Sequence, residues 1–80
     1  MSNLSVKPMG KTIYSKEHRF LVAQLREARK EAGLDQKEVA KLLGRTQSYI
    51  SKIESGQRRI DIVQIKGFAK IYKKSLDFFI

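Results

Sequence analysis

The stretch from residue 36 to residue 55 reads Gln-Lys-Glu-Val-Ala-Lys-Leu-Leu-Gly-Arg-Thr-Gln-Ser-Tyr-Ile-Ser-Lys-Ile-Glu-Ser. A short pattern of helical spacing lies on either side of Gly44. Glycine commonly ends a helix because it adopts the left-handed backbone conformation without steric cost. The stretch therefore predicts a helix, a tight turn and a second helix, and the rest of the chain is expected to support this pair.

The first of these two helices has a clear start signal. Asp35 and Glu38 form a D-x-x-E pattern, in which each side chain can accept a hydrogen bond from a free backbone N–H of the first turn. The helix is therefore predicted to begin at Gln36. Its apolar residues follow at helical spacing and include Ala40, whose small side chain permits a close crossing of the second helix; they are Val39, Ala40, Leu42 and Leu43.

The second helix is predicted to follow Thr46, which can cap it, and to stop at Gly56. Ile50 and Ile53 lie three residues apart and therefore share one face, which is expected to pack into the core. The opposite face carries polar side chains instead, namely Gln47, Ser48, Ser51 and Lys52. Gln can bind an adenine edge through two hydrogen bonds, Lys can donate to guanine O6 and N7, and Ser can bind either base. This helix is therefore predicted to read bases in a DNA groove.

The chain resembles the helix-turn-helix family of the phage lambda repressor and Cro proteins, often called the XRE family. The resemblance runs from about Leu25 to Phe79. The motifs that carry it are Leu25-Arg26-Glu27-Ala28-Arg29, Gly33-Leu34-Asp35-Gln36, Val39-Ala40, Leu43-Gly44, Gln47-Ser48-Tyr49-Ile50-Ser51-Lys52-Ile53-Glu54-Ser55-Gly56 and Leu76-Asp77-Phe78-Phe79. The resemblance implies a recognition helix at residues 47–55 that enters the major groove.

The resemblance also implies roles for three residues outside the reading face. Arg29 is expected to form a structural ion pair with Glu54 and so tie the recognition helix to the first helix of the domain. Two unrelated surface charges are the alternative. Gln36 is expected to hold a phosphate and to brace Gln47.

Phosphate contacts position a protein on DNA without reading sequence. Arg58 and Arg59 follow Gly56 and are expected to reach a phosphate, although a purely solubilising role is the alternative. Tyr49 either stacks beside the groove or packs back on the supporting helices, and the sequence does not choose between these. The expected phosphate contacts are Gln36, Arg45, Thr46, Tyr49, Arg58 and Arg59.

The composition favours a polyanionic partner. Lys and Arg outnumber Asp and Glu by 17 to 8, and the net charge is +9 at a pI near 10.1. Nucleic acid is the leading interpretation, ahead of an anionic membrane surface. The chain has no cysteine, which excludes disulfides and thiolate metal ligands. No apolar run approaches the ~20 residues needed to span a bilayer, and no signal peptide is visible, so a cytoplasmic location is expected.

Residues 1–14 contain the single Pro and no periodic pattern, which indicates a flexible N-terminal arm. A solvated tail is the favoured interpretation, and an arm whose Lys7 and Lys11 follow the DNA backbone is the alternative. Ser15 is expected to cap a first helix that runs to about Ala32. Its core stripe is predicted to be Leu21, Leu25, Ala28 and Ala32, with Val22 and Phe20 either widening this face or contacting another subunit.

The region after residue 60 is predicted to form two more helices. Asp61 and Gln64 repeat the capping-box signal, so the fourth helix is expected to start near Ile62. Its predicted core residues are Ile62, Ile65, Phe68, Ala69 and Tyr72. Ser75 can cap a short fifth helix, whose apolar side chains are more than one chain can cover. A two-fold dimer interface is therefore expected at Leu76, Phe78, Phe79 and Ile80.

Other kinds of site have little support in the sequence. His18 has no Cys or His partner for a metal ion and is expected to be an exposed residue of the first helical turn. The acidic residues form no recognisable acid and base pair, and the phosphate-binding pattern GxxxxGK[ST] is absent. No cofactor, metal or enzymatic activity is therefore expected.

These observations predict an all-α, compact five-helix domain of the lambda repressor type at residues 15–80, with its helix-turn-helix at about 36–55. The expected function is sequence-specific binding of a palindromic double-stranded DNA operator by a small homodimeric transcriptional regulator, of the repressor or restriction-modification controller type. The alternative is an antitoxin or adaptor whose main role is to bind a partner protein. Binding to RNA or membranes by charge alone is disfavoured, because Gln47, Ser48 and Ser51 would then be Lys or Arg.

Overall fold

The computed structural model describes residues 15–80, so the expected arm at residues 1–14, with Lys7 and Lys11, lies outside the described residues. Within the described range the fold is all-α, as predicted. It has four α-helices and one final turn of 3-10 helix rather than five helices: α1 Lys16–Glu31, α2 Gln36–Leu43, α3 Gln47–Glu54, α4 Ile62–Tyr72 and the 3-10 turn Leu76–Phe78.

The last segment of the chain forms a 3-10 turn because the segment is short and the burial of Phe79 holds it in place. The backbone N–H of Phe78 donates to Ser75 at 3.1 Å and that of Phe79 to Leu76 at 2.9 Å, both across three residues. Ser75 precedes the turn but makes no side-chain capping bond, so its predicted capping role is wrong. The tighter turn places Phe79 in the core, where it is 1% exposed.

The four α-helices begin where the sequence predicts. In α2, the Asp35 carboxylate accepts from the backbone N–H of Glu38, and the Glu38 carboxylate accepts from that of Asp35, both at 2.8 Å. The same reciprocal pair of 2.8 Å bonds joins Asp61 and Gln64 at the start of α4. Each bond satisfies an N–H that would otherwise have no partner. The four capping residues are Ser15, Asp35, Thr46 and Asp61.

The turn between α2 and α3 depends on Gly44, whose φ of 69° lies in the left-handed region. The end of α4 uses the same conformation without a glycine, because Lys73 has a φ of 57°. A side chain with a Cβ is less stable in this conformation, so Lys73 is strained where a glycine would not be.

The core lies where the four α-helices and the 3-10 turn meet. Each α-helix contributes at least one large side chain with less than 2% exposure, as does Phe79, which directly follows the 3-10 turn; these residues are Leu25, Val39, Ile50, Ile53, Phe68 and Phe79. Burial of side chains of this size is the main stabilising contribution in a domain this small. Truncation of one of them to Ala typically costs about 2–5 kcal/mol.

Three predictions of burial are wrong. His18 is buried at 9% exposure, because it shares a face of α1 with Val22 and Leu25 at a spacing of four and seven residues. Ala32 is exposed, since it follows the last residue of α1 and lies beyond the helices that cover that face. Ile62 is 48% exposed, because it is the first residue of α4 and is directed away from the core. Val22 is part of the buried face, whereas Phe20 is 49% exposed.

Candidate nucleic-acid interface

The outer face of α3 makes no side-chain hydrogen bond to the rest of the described chain. Ile50 and Ile53 are fully buried, while the four residues predicted to read bases are exposed. No side chain in this exposed set hydrogen-bonds to another residue of the 15–80 range. We call these residues the reading face, and they are Gln47, Ser48, Ser51 and Lys52. Their donors and acceptors are therefore available to an external partner.

The inner end of α3 is held by an ion pair. Arg29 Nε donates to Glu54 Oε2 at 2.8 Å, and Arg29 Nη2 donates to Glu54 Oε1 at 3.0 Å. The side chain of Glu54 is 3% exposed and that of Arg29 is 14% exposed. The hydrogen bond to Glu54 raises the pKa of Arg29 above its ordinary value, so the guanidinium stays charged at neutral pH. This two-point contact fixes α3 on α1.

Two further residues bind to Glu54. Gln36 Nε2 donates to Glu54 Oε1 at 3.1 Å, which ties the start of α2 to the end of α3. Arg26 Nη1 donates to the backbone carbonyl of Glu54 at 2.8 Å and so satisfies a carbonyl at the open end of the helix. Arg29 also donates to the carbonyl of Leu34 at 3.0 Å. Three helices therefore meet at one buried carboxylate.

The sequence interpretation missed Arg26. A signal for it existed, because Arg26 precedes Arg29 by three residues and therefore lies on the same face of α1. Gln36 also differs from expectation. Its amide binds Glu54, and no hydrogen bond joins it to Gln47 within residues 15–80. Gln36 thus braces the far end of α3 rather than its start.

Tyr49 packs back on the supporting helices. Its ring is half-buried against the core, and its hydroxyl accepts a hydrogen bond from Gln64 Nε2 on α4. The guanidinium carbon of Arg45 lies 4.8 Å from the centre of the Tyr49 ring, and that of Arg58 lies 5.1 Å from the same point. Both distances are within the range of a cation–π contact.

Basic side chains lie within and around the reading face. Arg45 precedes α3, Lys52 lies within it and Arg58 follows it, and all are exposed. Thr46 Oγ1 accepts from the backbone N–H of Tyr49 at 3.1 Å, so this hydroxyl caps the helix and keeps its own hydrogen for another acceptor. The one acidic residue of α3, Glu54, is buried and paired, which leaves the outer side of α3 electropositive.

The structure separates Arg59 from Arg58. Arg59 lines a groove of about 710 Å³ beside the start of α1 and the chain end, on the side of the loop away from Tyr49. Phe20, Phe79 and Ile80 line the same groove. We call it the terminal groove. Arg58 and Arg59 are adjacent in the sequence but therefore lie on two different surfaces of the domain.

The four residues expected at a dimer interface have different exposures. Ile80 is 73% exposed, and Leu76 and Phe78 are half-buried. Phe79 is buried within its own chain, so the expectation that its side chain faces a second subunit needs correction. The exposed apolar surface at this end comes instead from Ile80 and from Phe20 across the terminal groove.

The described part of the chain contains neither a membrane-spanning helix nor a cluster of metal ligands. No helix formed by residues 15–80 has the length and apolar character needed to cross a membrane. The same residues contain no group of three or more His, Asp or Glu side chains positioned to hold a metal ion. His18, the candidate considered from the sequence, is buried and belongs to no such group in this range.

An exposed polar helix on a helix-turn-helix support, surrounded by basic residues, defines a DNA-binding domain of the helix-turn-helix class. Residues 25–79 match a family model described as helix-turn-helix. The chain belongs to this XRE-type family of DNA-binding regulators.

Among solved structures, the chain is similar to the restriction-modification controller protein C.AhdI from Aeromonas hydrophila, known from a high-resolution crystal structure. The two share 32% sequence identity with a TM-score of 0.69, and the match covers 75% of this chain and 87% of that chain. No curated protein matches the chain.

Proposed function

We propose that the protein binds a specific double-stranded DNA operator as a homodimer and regulates transcription there. The observation that carries this proposal is the reading face, four exposed polar side chains on a helix fixed by the Arg29–Glu54 pair. Base readout needs donors and acceptors that are free yet held in position, and this arrangement supplies both. In the proposed complex α3 enters the major groove, and Gln47, at the start of the helix, reaches deepest.

Phosphate contacts are proposed around the reading face. The hydroxyl of Thr46 and the second amide N–H of Gln36 remain available as donors beside the first turns of α3 and α2. Arg45 and Arg58 supply positive charge at the two ends of α3, with Tyr49 between them. Arg59 lines the terminal groove instead, so of the two loop arginines only Arg58 is proposed to contact a phosphate beside the reading face.

The homodimer is proposed at the terminal groove. Ile80 and Phe20 expose apolar surface there, and a second copy related by a two-fold axis would cover it. A two-fold dimer would present two reading faces about 34 Å apart to inverted half-sites, and this doubles the number of base pairs specified.

The regulatory role is proposed from the similarity to a restriction-modification controller. That protein and this chain share a fold over most of both lengths. We therefore favour a transcriptional regulator of the controller or repressor type over an antitoxin or adaptor.

The experiment is selection of binding sites from random duplex DNA with the purified protein. A palindromic consensus with half-sites one helical turn apart is the expected result. A variant with Gln47, Ser48 and Ser51 all replaced by Ala keeps the core and the net charge, so it should bind DNA without enriching that consensus. Equal enrichment of unrelated sequences by the unmodified protein would contradict the proposal, as would tighter binding to single-stranded RNA than to any duplex.

A further inference from the structure

Two arginines from opposite ends of α3 converge on one tyrosine ring. Arg45 lies two residues before the helix and Arg58 four residues after it. Their guanidinium carbons lie 4.8 Å and 5.1 Å from the centre of the Tyr49 ring, so they are no more than about 10 Å apart. Arg45 and Arg58 are thirteen positions apart in the sequence, and the fold brings both guanidinium groups to the same tyrosine ring.

The ring that receives them is held firmly. Tyr49 packs against the core, and its hydroxyl accepts a hydrogen bond from Gln64 Nε2. Gln64 is itself fixed, because its Oε1 and its backbone N–H both bond to Asp61 in the capping box of α4. A continuous set of contacts therefore runs from the start of α4 to the Tyr49 ring.

The guanidinium donors of Arg45 and Arg58 are uncommitted. Neither group has a carboxylate or carbonyl partner among residues 15–80, and both side chains are exposed. Arg26 and Arg29 differ in this respect, because their donors are bonded to Glu54 and Leu34. Arg26 and Arg29 therefore stabilise the fold, whereas the donors of Arg45 and Arg58 are available to an external partner.

Each of these guanidinium groups carries a positive charge, and a bound anion would neutralise it. A phosphate group suits either guanidinium, because its oxygens accept from the forked donors of arginine with two-point geometry. Carboxylates could neutralise the charge too, but the described chain places none against either guanidinium. The site therefore lacks its counter-charge within residues 15–80.

We propose that Arg45, Tyr49 and Arg58 form a phosphate clamp for the DNA backbone, in which the two arginines bind phosphodiester oxygens and Tyr49 is the positioning residue. This proposal rests on the proposed DNA binding. It assigns Tyr49 a role without phosphate contact of its own: the ring aligns two guanidinium groups before DNA arrives, so that less side-chain freedom is lost on binding. Because the arginines come from both ends of α3, the clamp also sets the angle of the helix in the groove.

The experiment measures how the affinity for the selected operator depends on salt concentration, for the unmodified protein and four variants. Each phosphate contact contributes about 0.9 to the slope of log affinity against log salt on B-form DNA. Arg45→Gln and Arg58→Gln should each lower the slope by about one unit. Tyr49→Leu should lower it by one to two units although it removes no charge. Tyr49→Phe keeps the ring and should leave the slope within about half a unit of the original.

The matched control is Lys66→Gln, which removes one positive charge from an exposed residue of α4. Lys66 lies two residues after Gln64 and therefore projects from a different side of that helix. Its slope should equal that of the unmodified protein. Circular dichroism melting of every variant checks the fold, and if Tyr49→Leu does not fold, the double variant Arg45→Gln/Arg58→Gln decides, with an expected loss of about two units.

An unchanged slope in a folded Tyr49→Leu variant would overturn the positioning role. Slopes for Arg45→Gln and Arg58→Gln no lower than that for Lys66→Gln would overturn the clamp as a whole. Failure of the proposed function looks different, because the unmodified protein itself would then show no preference for any duplex.

Discussion

The guanidinium of Arg26 donates to the backbone carbonyl of Glu54 at 2.8 Å, one helical turn before Arg29 binds the carboxylate of the same residue. Arg26 thus donates to the backbone carbonyl at the end of α3, and Arg29 donates to the side-chain carboxylate of the same residue. Because α3 has only eight residues, it has little stability of its own and takes its position from such contacts. The orientation of the reading face is therefore determined at the opposite end of the helix from Gln47.

Loss of one member of the Arg29–Glu54 pair should destabilise the fold strongly. Arg29→Met leaves the Glu54 carboxylate buried without its main partner, and we expect a loss of about 3–5 kcal/mol in the free energy of unfolding. The double variant Arg29→Met/Glu54→Leu should lose less than the sum of the single variants, because it leaves no unpaired charge. Urea unfolding of the three variants measures this, and strictly additive losses would show that the two residues do not interact.

Base readout by Gln47 should appear as a loss confined to the preferred site. Gln47→Ala is expected to weaken binding there by about 1–3 kcal/mol and to change binding to random DNA little. Gln57→Ala is the matched control, since Gln57 is an exposed residue beyond the end of α3. Titration with both DNAs tests this, and an equal loss on the two would assign Gln47 a role that does not depend on sequence.

Subunit association should depend on Ile80 and not on Phe79. Ile80→Glu places a charge in the terminal groove and should give a folded monomer with much weaker operator affinity. Phe79→Glu instead buries a charge in the core and should unfold the domain. Sedimentation velocity combined with thermal unfolding separates the two effects. If the unmodified protein is monomeric both at high concentration and on its operator, the proposed dimer does not form.

Two glycine-to-alanine changes should have opposite effects. A Cβ at Gly67 would lie 3.6 Å from Leu43 Cδ2, an ordinary contact, and alanine favours a helix interior over glycine, so Gly67→Ala should stabilise the fold by about 0.5–1 kcal/mol. Gly44→Ala should destabilise it by about 1 kcal/mol, because φ is 69° there. Lys73→Gly, at the left-handed end of α4, should be stabilising. Thermal unfolding gives the sign of each change in stability. A destabilised Gly67→Ala variant would mean that α2 and α4 approach more closely than the 3.6 Å contact indicates.

Tyr72 should make the fold sensitive to alkaline pH. Burial, followed by the charge of Glu54, raises the pKa of Tyr72 above its ordinary value of about 10. A raised pKa in the folded state means that this contribution to stability is complete below about pH 10 and is lost as the pH rises further. Tyr72→Phe should therefore unfold less readily above pH 10. At pH 7 it should cost little, since the buried hydroxyl has no hydrogen-bond partner among residues 15–80. Stability curves for both proteins between pH 7 and pH 11 test this, and curves that stay parallel would contradict it.

Helix starts could be predicted from the sequence because capping is local chemistry. Asp35 and Asp61 each lie three residues before the side chain that completes the capping box, so the signal is contained in four consecutive residues. Gly44 likewise marked the turn by itself. The burial of His18 is also accessible from the sequence, because His18 lies four residues before Val22 and therefore on the same face of α1, whereas the lack of a metal partner carries no information about exposure.

Features that depend on distant parts of the chain could not be predicted. Tyr49 has Arg45 and Arg58 over its ring because the loop after α3 returns to that side, and no local pattern specifies this. The final turn is 3-10 rather than α-helical because Phe79 enters a core to which residues far away in the sequence, such as Leu25, also contribute. The resemblance supplied the Arg29–Glu54 pair, which spacing alone did not indicate.

The division of α3 into a buried and an exposed side means that binding specificity can change independently of folding. Ile50, Ile53 and Glu54 are buried and pack α3 on the domain, while the reading face is exposed and makes no side-chain hydrogen bond within residues 15–80. Replacement of its four side chains should redirect the protein to another operator while its melting temperature stays nearly constant. During evolution, such a chain can acquire a new target gene by a few substitutions that natural selection on stability does not oppose. For the same reason it is a suitable scaffold for engineered repressors.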